Sequence, residues 1–309
     1  MLLFLTAVCS KHKDPVDGGD ADGIQDLHGP YLGQTPPGNE PRVFASGVVS
    51  TEEHEGPVVA YPGGNELYYV RFENLGHELR GRILCTKVQD GHWSGPEVVS
   101  FSGTYADAYV AMHPDGSRLY FQSDRPIDPS ESTFTWNIWY VDRVGDGWSA
   151  AHPIGRPING RNEVSGPSVT SNGTLYYTLM TLGGPSDIYR SRLVNGEYQE
   201  PERLPNSINT VVQQFDSYVA PDESYLLFNA YQRSDTYGST DLYVSFRDGN
   251  DQWTTAADLG SAVNSADAEG SATVTPDGRY IFFGRYNNVE HRGVDVYWLN
   301  AQYLAFLRR

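Results

Sequence analysis

The chain has 309 residues, of which 39% are hydrophobic and 13% aromatic, with two Cys and three Met. Against 22 basic residues stand 39 acidic ones, a net charge of −17, so a phosphate backbone is repelled and nucleic acid is not an expected partner. Two thiols make no disulfide framework, and the length allows one domain with a large shared core.

Met1 to Val8 is an apolar stretch, far short of the roughly 20 residues that a membrane-spanning helix needs. It runs through Thr6-Ala7-Val8-Cys9 into a polar stretch between Asp14 and Asp26. This start resembles a bacterial lipoprotein signal, which implies export, lipidation of Cys9, and a mature protein in the periplasm or on the outer membrane. Membrane contact is then expected only through that anchor; an ordinary apolar N-terminus is the alternative. Asp17, Asp20 and Asp22, with glycines between, look like a calcium loop but lack its closing Glu, so the segment reads as a solvated tether. Residues 1–29 are accordingly assigned to signal and tether, and 30–309 to the folded domain.

Beyond residue 50 one pattern recurs five times: an apolar run, a tight turn, an apolar-aromatic run, and a third run that opens on Asp or Asn. The turns are Pro62-Gly63-Gly64, Pro114-Asp115-Gly116, Ser171-Asn172-Gly173, Pro221-Asp222-Glu223 and Pro276-Asp277-Gly278. Pro presets φ, Asp bonds its own backbone and Gly accepts positive φ, so strands a and b form a hairpin around each. Asn137-Ile138-Trp139-Tyr140, Asp187-Ile188-Tyr189, Asp241-Leu242-Tyr243 and Asp295-Val296-Tyr297 are strand c, rich in residues that suit a pleated surface. A second turn follows at Asp90-Gly91, Asp146-Gly147, Asn195-Gly196 and Asp248-Gly249, and the aromatics Trp93, Trp148, Tyr198 and Trp253 then open strand d. Their regular spacing reads as packing between repeats rather than as a sugar-stacking set. Cys85 reads as a buried strand residue.

A sheet of four antiparallel strands cannot bury both faces alone, so the expected fold is all-β: a single propeller of five four-stranded blades. The last repeat lacks its fourth strand after Asp295-Val296-Tyr297-Trp298, and the strand-like segment from Pro41 to Val49 is expected to supply it. Closing the ring with the other end of the chain removes open sheet edges.

The Pro-Asp-Gly turns followed by Asp-Ile/Leu-Tyr strands resemble the WD40-like (PD40) repeat of TolB-like exported bacterial propellers, over roughly residues 30–309. The lead-in Tyr31-Leu32-Gly33-Gln34-Thr35-Pro36-Pro37-Gly38 is similar to a single-domain subgroup of that family. The resemblance implies a fold and leaves the biochemical role open. Ser171-Asn172-Gly173 lacks the Pro, and Glu223 replaces the Gly.

In a propeller the d-to-a and b-to-c loops share one face. Nine residues before the last turn position stand Glu55, Asp107, Val164, Gln214 and Glu269, with Glu163 and Asp216 beside the two exceptions. Arg71, Arg125, Arg233 and Arg285 stand at the ends of strand b. Carboxylates are therefore expected to gather at one channel mouth, alternating with arginines. Two readings remain open: a polar site for a cation, sugar or charged peptide end, or ion pairing between blades. His54, beside Glu55, joins the candidates. Ca²⁺ is the one cofactor such a carboxylate ring could partly serve; otherwise none is expected. The carboxyl groups opening strand c read as caps of the b-to-c loop.

Eight histidines show no paired zinc spacing, and no nucleophile elbow, phosphate loop or dinucleotide fingerprint occurs. The expected function is a non-catalytic exported module, a monomer that binds a protein or glycan partner of the cell envelope at the channel mouth. The alternative is a carbohydrate-active enzyme, hydrolase or lyase, that uses two rim carboxylates as acid and base.

Overall fold

The computed structural model describes residues 27–74, 79–128, 130, 135–160, 162–181, 184–250, 252–286 and 293–308. The expectations placed on Cys9 and on Asp14 to Asp26 lie outside them. Among the described residues no helix is long and apolar enough to cross a membrane.

The described strands make five antiparallel groups of four. Their innermost strands are His54–Ala60, Asp107–Met112, Glu163–Val169, Gln214–Val219 and Ala268–Val274, strand a of blades 1 to 5. Each touches the next, and the fifth touches the first, so the ring is closed. Strands b are Glu66–Asn74, Arg118–Ser123, Leu175–Met180, Tyr225–Tyr231 and Tyr280–Tyr286, and strands c are Leu79–Gln89, Asn137–Val144, Ser186–Ser191, Thr240–Phe246 and Val294–Asn300.

Outermost strands are short. Glu97–Val98, His152–Pro153, Glu202–Arg203 and Ala257–Asp258 pair with strand c of blades 1 to 4, two residues each. Such brevity blunts the exposed edges. The expected aromatics do not open these strands: Trp93, Trp148 and Tyr198 sit in separate hairpin ends against the tail of strand c or just beyond it. Two of those turns have positive φ at both central residues, 51° and 83° at Asp90-Gly91 and 52° and 83° at Asn195-Gly196, which matches the twist of the flanking strands. In blade 2 the turn is Gly145-Asp146, one residue earlier than expected, because Val144 pairs with Gly147.

Blade 5 receives its fourth strand from the N-terminal side. Arg42 pairs with Trp298 and Val43 with Tyr297, and Phe44 N–H donates to the Val296 carbonyl at 2.7 Å. The expected strand from Pro41 to Val49 is thus a two-residue ladder, after which the chain turns inward. The segment before it also docks, since Trp93 donates its backbone N–H to Leu27 O and its indole N–H to Gly29 O, both near 2.8 Å.

The core lies between blades. Five apolar clusters occur among the described residues, one at each junction of neighbouring sheets. Tyr68 against Trp148, Tyr120 against Tyr198 and Tyr176 against Trp253 cross three of these junctions, so those aromatics pack between blades as their spacing implied. At the closing junction Phe44 meets Phe282 and Trp298 edge-on, 4.8 and 5.1 Å between ring centroids. Phe44 is fully buried. The Phe44→Ala substitution is expected to cost about 3–5 kcal/mol, read as a lower urea midpoint with an unchanged slope.

Candidate functional site

Three of the expected carboxylate positions carry one repeated clasp. In blade 1 Thr51 Oγ donates to Glu55 at 2.6 Å, Arg71 Nε donates to the same carboxylate at 2.9 Å, and Arg71 Nη2 reaches Val48 O at 3.1 Å. Blade 5 repeats it with Ser265, Glu269, Arg285 and Val263 O, at 2.5, 2.7 and 2.7 Å. Blade 2 uses Ser102, Asp107, Arg125 and Phe101 O, at 2.6, 2.7 and 3.0 Å. Each clasp ties the incoming d-to-a loop to its own blade. The pairs therefore lie within blades, not between them, and the charges are consumed there rather than displayed around the rim.

Blade 4 makes the same loop contact without charge. Gln214 accepts from Thr210 N–H at 2.9 Å and donates to Thr210 Oγ at 2.8 Å, while Ala230 occupies the cross-strand position that Arg71 and Arg285 hold elsewhere. Arg233 does not join the set; its nearest acid is Asp235 at 3.8 Å, and its guanidinium lies over the Tyr243 ring. Blade 3 has Val164 at this position, and Glu163 is half-buried beside it.

A second repeated contact had no counterpart in the sequence reading. Asn159, Asn209 and Asn264 each accept from a strand-c N–H and donate back to the same residue's carbonyl, at Ile138, Ile188 and Leu242, all within 2.8–3.0 Å. Pro-Ile-Asn, Ser-Ile-Asn and Ala-Val-Asn before strands a were its signal. Of the acids opening strand c, Asp241 caps its loop by accepting from Tyr237 and Gly238 N–H, whereas Asp187 pairs with Arg203 at 2.7 Å.

The channel chemistry sits two residues further along strand a. Every inner strand bulges there, as shown by register shifts between Glu55 and Val58, Ala108 and Ala111, Ser165 and Ser168, Phe215 and Tyr218, and Gly270 and Thr273. The bulge residues Tyr109, Gly166, Asp216 and Ser271 have φ of 46°, 55°, 51° and 54°; in blade 1 the position is Pro57, whose ring forbids positive φ. A left-handed Tyr, Asp and Ser are costly, and such strain gathers where a side chain must be aimed. Space is tight at Gly166 as well, since a Cβ on it would stand 3.0 Å from Asp216 Cα.

These bulges converge on Asp216. Ser271 Oγ donates to it at 3.3 Å, Tyr109 and Asn229 also hydrogen-bond it, and Thr178 Oγ accepts from its backbone N–H at 3.1 Å. Among the described residues no arginine pairs with it. Burial therefore dominates, and the Asp216 carboxyl is pushed up to about 7, with the three hydrogen bonds pulling the other way. It lines a cavity of about 210 Å³ at the channel mouth. Of the sequence candidates Glu55, Glu269 and His54 line it too; Asp107, Glu163 and the four arginines do not. Burial also raises the Glu55 and Glu269 carboxyls and lowers the His54 imidazole. Among the described residues no group of three or more His, Cys, Asp and Glu is arranged to hold a metal ion. Burial pushes the half-buried Cys85 thiol up to about 12, which leaves it unreactive.

Two stability measurements follow. Folded protein keeps the Asp216 proton up to about pH 7, whereas an unfolded Asp releases it near ~3.9. Between those values the native state binds more protons, so this group's contribution falls as pH rises. The Asp216→Asn variant is expected to exceed the wild type by about 2–4 kcal/mol at pH 8 and to lose that advantage at pH 4, by urea unfolding. Glu269→Gln leaves Arg285 without its counter-charge and is expected to cost about 3 kcal/mol. Adding Arg285→Ala recreates the Gln214 and Ala230 arrangement of blade 4 and should regain at least half of that loss; equal stability of the two variants would remove the arginine from the account.

Neither a protein-family model nor a curated protein matches the chain. Solved structures do. The chain is similar to a Bacillus subtilis arabinanase, Arb43A, at 11% identity over 82% of this chain and 95% of that one, with a TM-score of 0.52. A glycoside hydrolase aligns at 11% identity over 85% of this chain and 91% of its own, also at 0.52. BT0996, in a complex with RGII, aligns at 11% identity over 81% and 89%, at 0.54. At such identities the likeness is one of architecture: this chain is a β-propeller.

Proposed function

We propose that this propeller is a carbohydrate-active enzyme whose mouth pocket takes part of a glycan and whose acid is Asp216. The observation that carries the reading is a carboxyl held protonated to about pH 7 by burial, on a strained bulge that lines the cavity, with no arginine partner among the described residues. Perturbed acids in a cleft mark functional sites, and a general acid works best when its pKa lies near the working pH. Asn229, Ser271 and Tyr109 add uncharged hydrogen-bonding groups, and Phe72 and Tyr286 add aromatic faces; sugars need both. Two of the similar structures are named for carbohydrate hydrolysis, which agrees with the reading without carrying it.

Glycoside hydrolysis uses a second carboxylate as nucleophile or base. Glu55 and Glu269 border the same cavity, and one of them would fill that role. Their ion pairs with Arg71 and Arg285 favour a second reading, in which the pocket binds glycan without turnover. Hydrolysis of a glycan panel separates the two. The enzyme reading expects turnover that declines above about pH 7 as Asp216 loses its proton, and that falls about 10²–10⁴-fold in Asp216→Asn. Glycan binding with no turnover at any pH supports the second reading, and no binding removes both.

The remaining expectations stand as proposals: a WD40-like repeat ancestry carried by the Pro-Asp-Gly turns, export with acylation at Cys9, a glycan partner in the cell envelope, and a monomeric state. The mass of the mature N-terminus tests the acylation.

A further inference from the structure

The wall of the mouth pocket facing blades 1 and 5 is aromatic. His54 opens strand a of blade 1, and Phe72 is its cross-strand partner on strand b. Tyr286 closes strand b of blade 5, and its ring lies nearly parallel to the His54 ring, 12° apart in plane with 6.4 Å between centroids. All three line the cavity and none is fully buried. Tyr68, Tyr176 and Trp298, by contrast, are buried in the packing between sheets. Burial keeps the His54 ring toward its uncharged form, so it presents a π-face rather than a cation.

Across the cavity Asp216 and Asn229 of blade 4, Ser271 of blade 5 and Tyr109 of blade 2 supply hydroxyl, amide and carboxyl groups, with Phe215 of blade 4 beside them in the lining. The glutamates between these walls are each held by an arginine, at 2.9 Å for Glu55 and 2.7 Å for Glu269. Neither offers a free charge to a ligand.

We infer that Phe72, His54 and Tyr286 form a shelf on which an uncharged sugar ring stacks, its hydroxyls turned toward Asp216, Asn229 and Ser271. This rests on the carbohydrate reading of the pocket and narrows it to neutral sugars. The C–H face of a sugar ring packs on a π-face, where partial positive edge meets partial negative face, while its hydroxyls need uncharged donors and acceptors. A uronate would have to give up the hydration of its carboxylate and would meet no Lys or Arg among the described lining residues. An amino sugar would find the charges of Glu55, Glu269 and Asp216 already paired or protonated.

The test is calorimetric titration of the full chain with matched neutral, uronic and amino oligosaccharides, in 50 and 500 mM salt. Neutral sugars are expected to bind with affinity unchanged by salt, because no charge is exchanged. Tyr286→Leu, which keeps apolar bulk and loses the ring, is expected to weaken that binding about tenfold. Tyr286→Phe should stay within about twofold, and Phe306→Ser, on the exposed C-terminal helix Tyr303–Leu307, should bind as the wild type does. Thermal unfolding checks that each variant is folded. Wild-type affinity in folded Tyr286→Leu overturns the shelf while the carbohydrate reading survives. Preference for a uronic or amino sugar overturns the neutral class, and failure of every sugar to bind wild-type protein overturns the carbohydrate reading itself.

Discussion

The contact between Phe44 and the Phe282–Trp298 pair, reached through the two-residue ladder of Arg42 and Val43 on Trp298 and Tyr297, is the constraint on which the other blades depend. A four-stranded sheet buries its faces only against other sheets, so each of the five apolar clusters needs two neighbours in place. An open ring would expose two such faces and leave strand c of blade 5 as an unpaired edge. Sealing that edge from the opposite end of the chain makes closure a long-range event, and it fixes the diameter at which five inner strands meet.

That diameter gives the bulges their purpose. Where five strands converge, regular alternation sends the residue at the clasp position back toward its own loop, and this is where Glu55, Asp107, Gln214 and Glu269 go. An extra residue in strand a then re-aims the next side chain into the channel at the cost of a left-handed backbone. The molecule thereby separates two uses of its acids within three residues. One set is paired with arginine and holds loops. The other, Asp216 alone among the described bulge residues, faces a cavity with only neutral neighbours.

The separation has an electrostatic consequence. Burial raises the carboxyls of Glu55, Glu269 and Asp216 alike, but the first two have a guanidinium within 3 Å to oppose it. Asp216 has hydroxyl, phenol and amide groups, which stabilise its ionised form less than a cation does. Among the described lining residues, then, two glutamates carry arginine partners and Asp216 stays protonated near neutral pH.

Period, turn chemistry and the missing last strand were enough to read the five blades and their closure, because hairpin turns and strand alternation are local and repeat with the chain. The same local logic located Glu55, Asp107 and Glu269 and left open a ligand site or pairing between blades; the pairs form within each blade, since which partner a carboxylate meets depends on the strand beside it. Asp216 was grouped with those three as a substitute for Gln214, although it stands at the bulge, with Pro57, Tyr109, Gly166 and Ser271 in the matching places. That column holds five different residues, and its variety was the available sign that it does not serve packing. Composition and spacing therefore settled strands a to c, the wheel and its closure. Which acid stays free was decided only by folding, because a bulge changes the direction of a side chain without leaving a mark on the alternating pattern that encodes the strand.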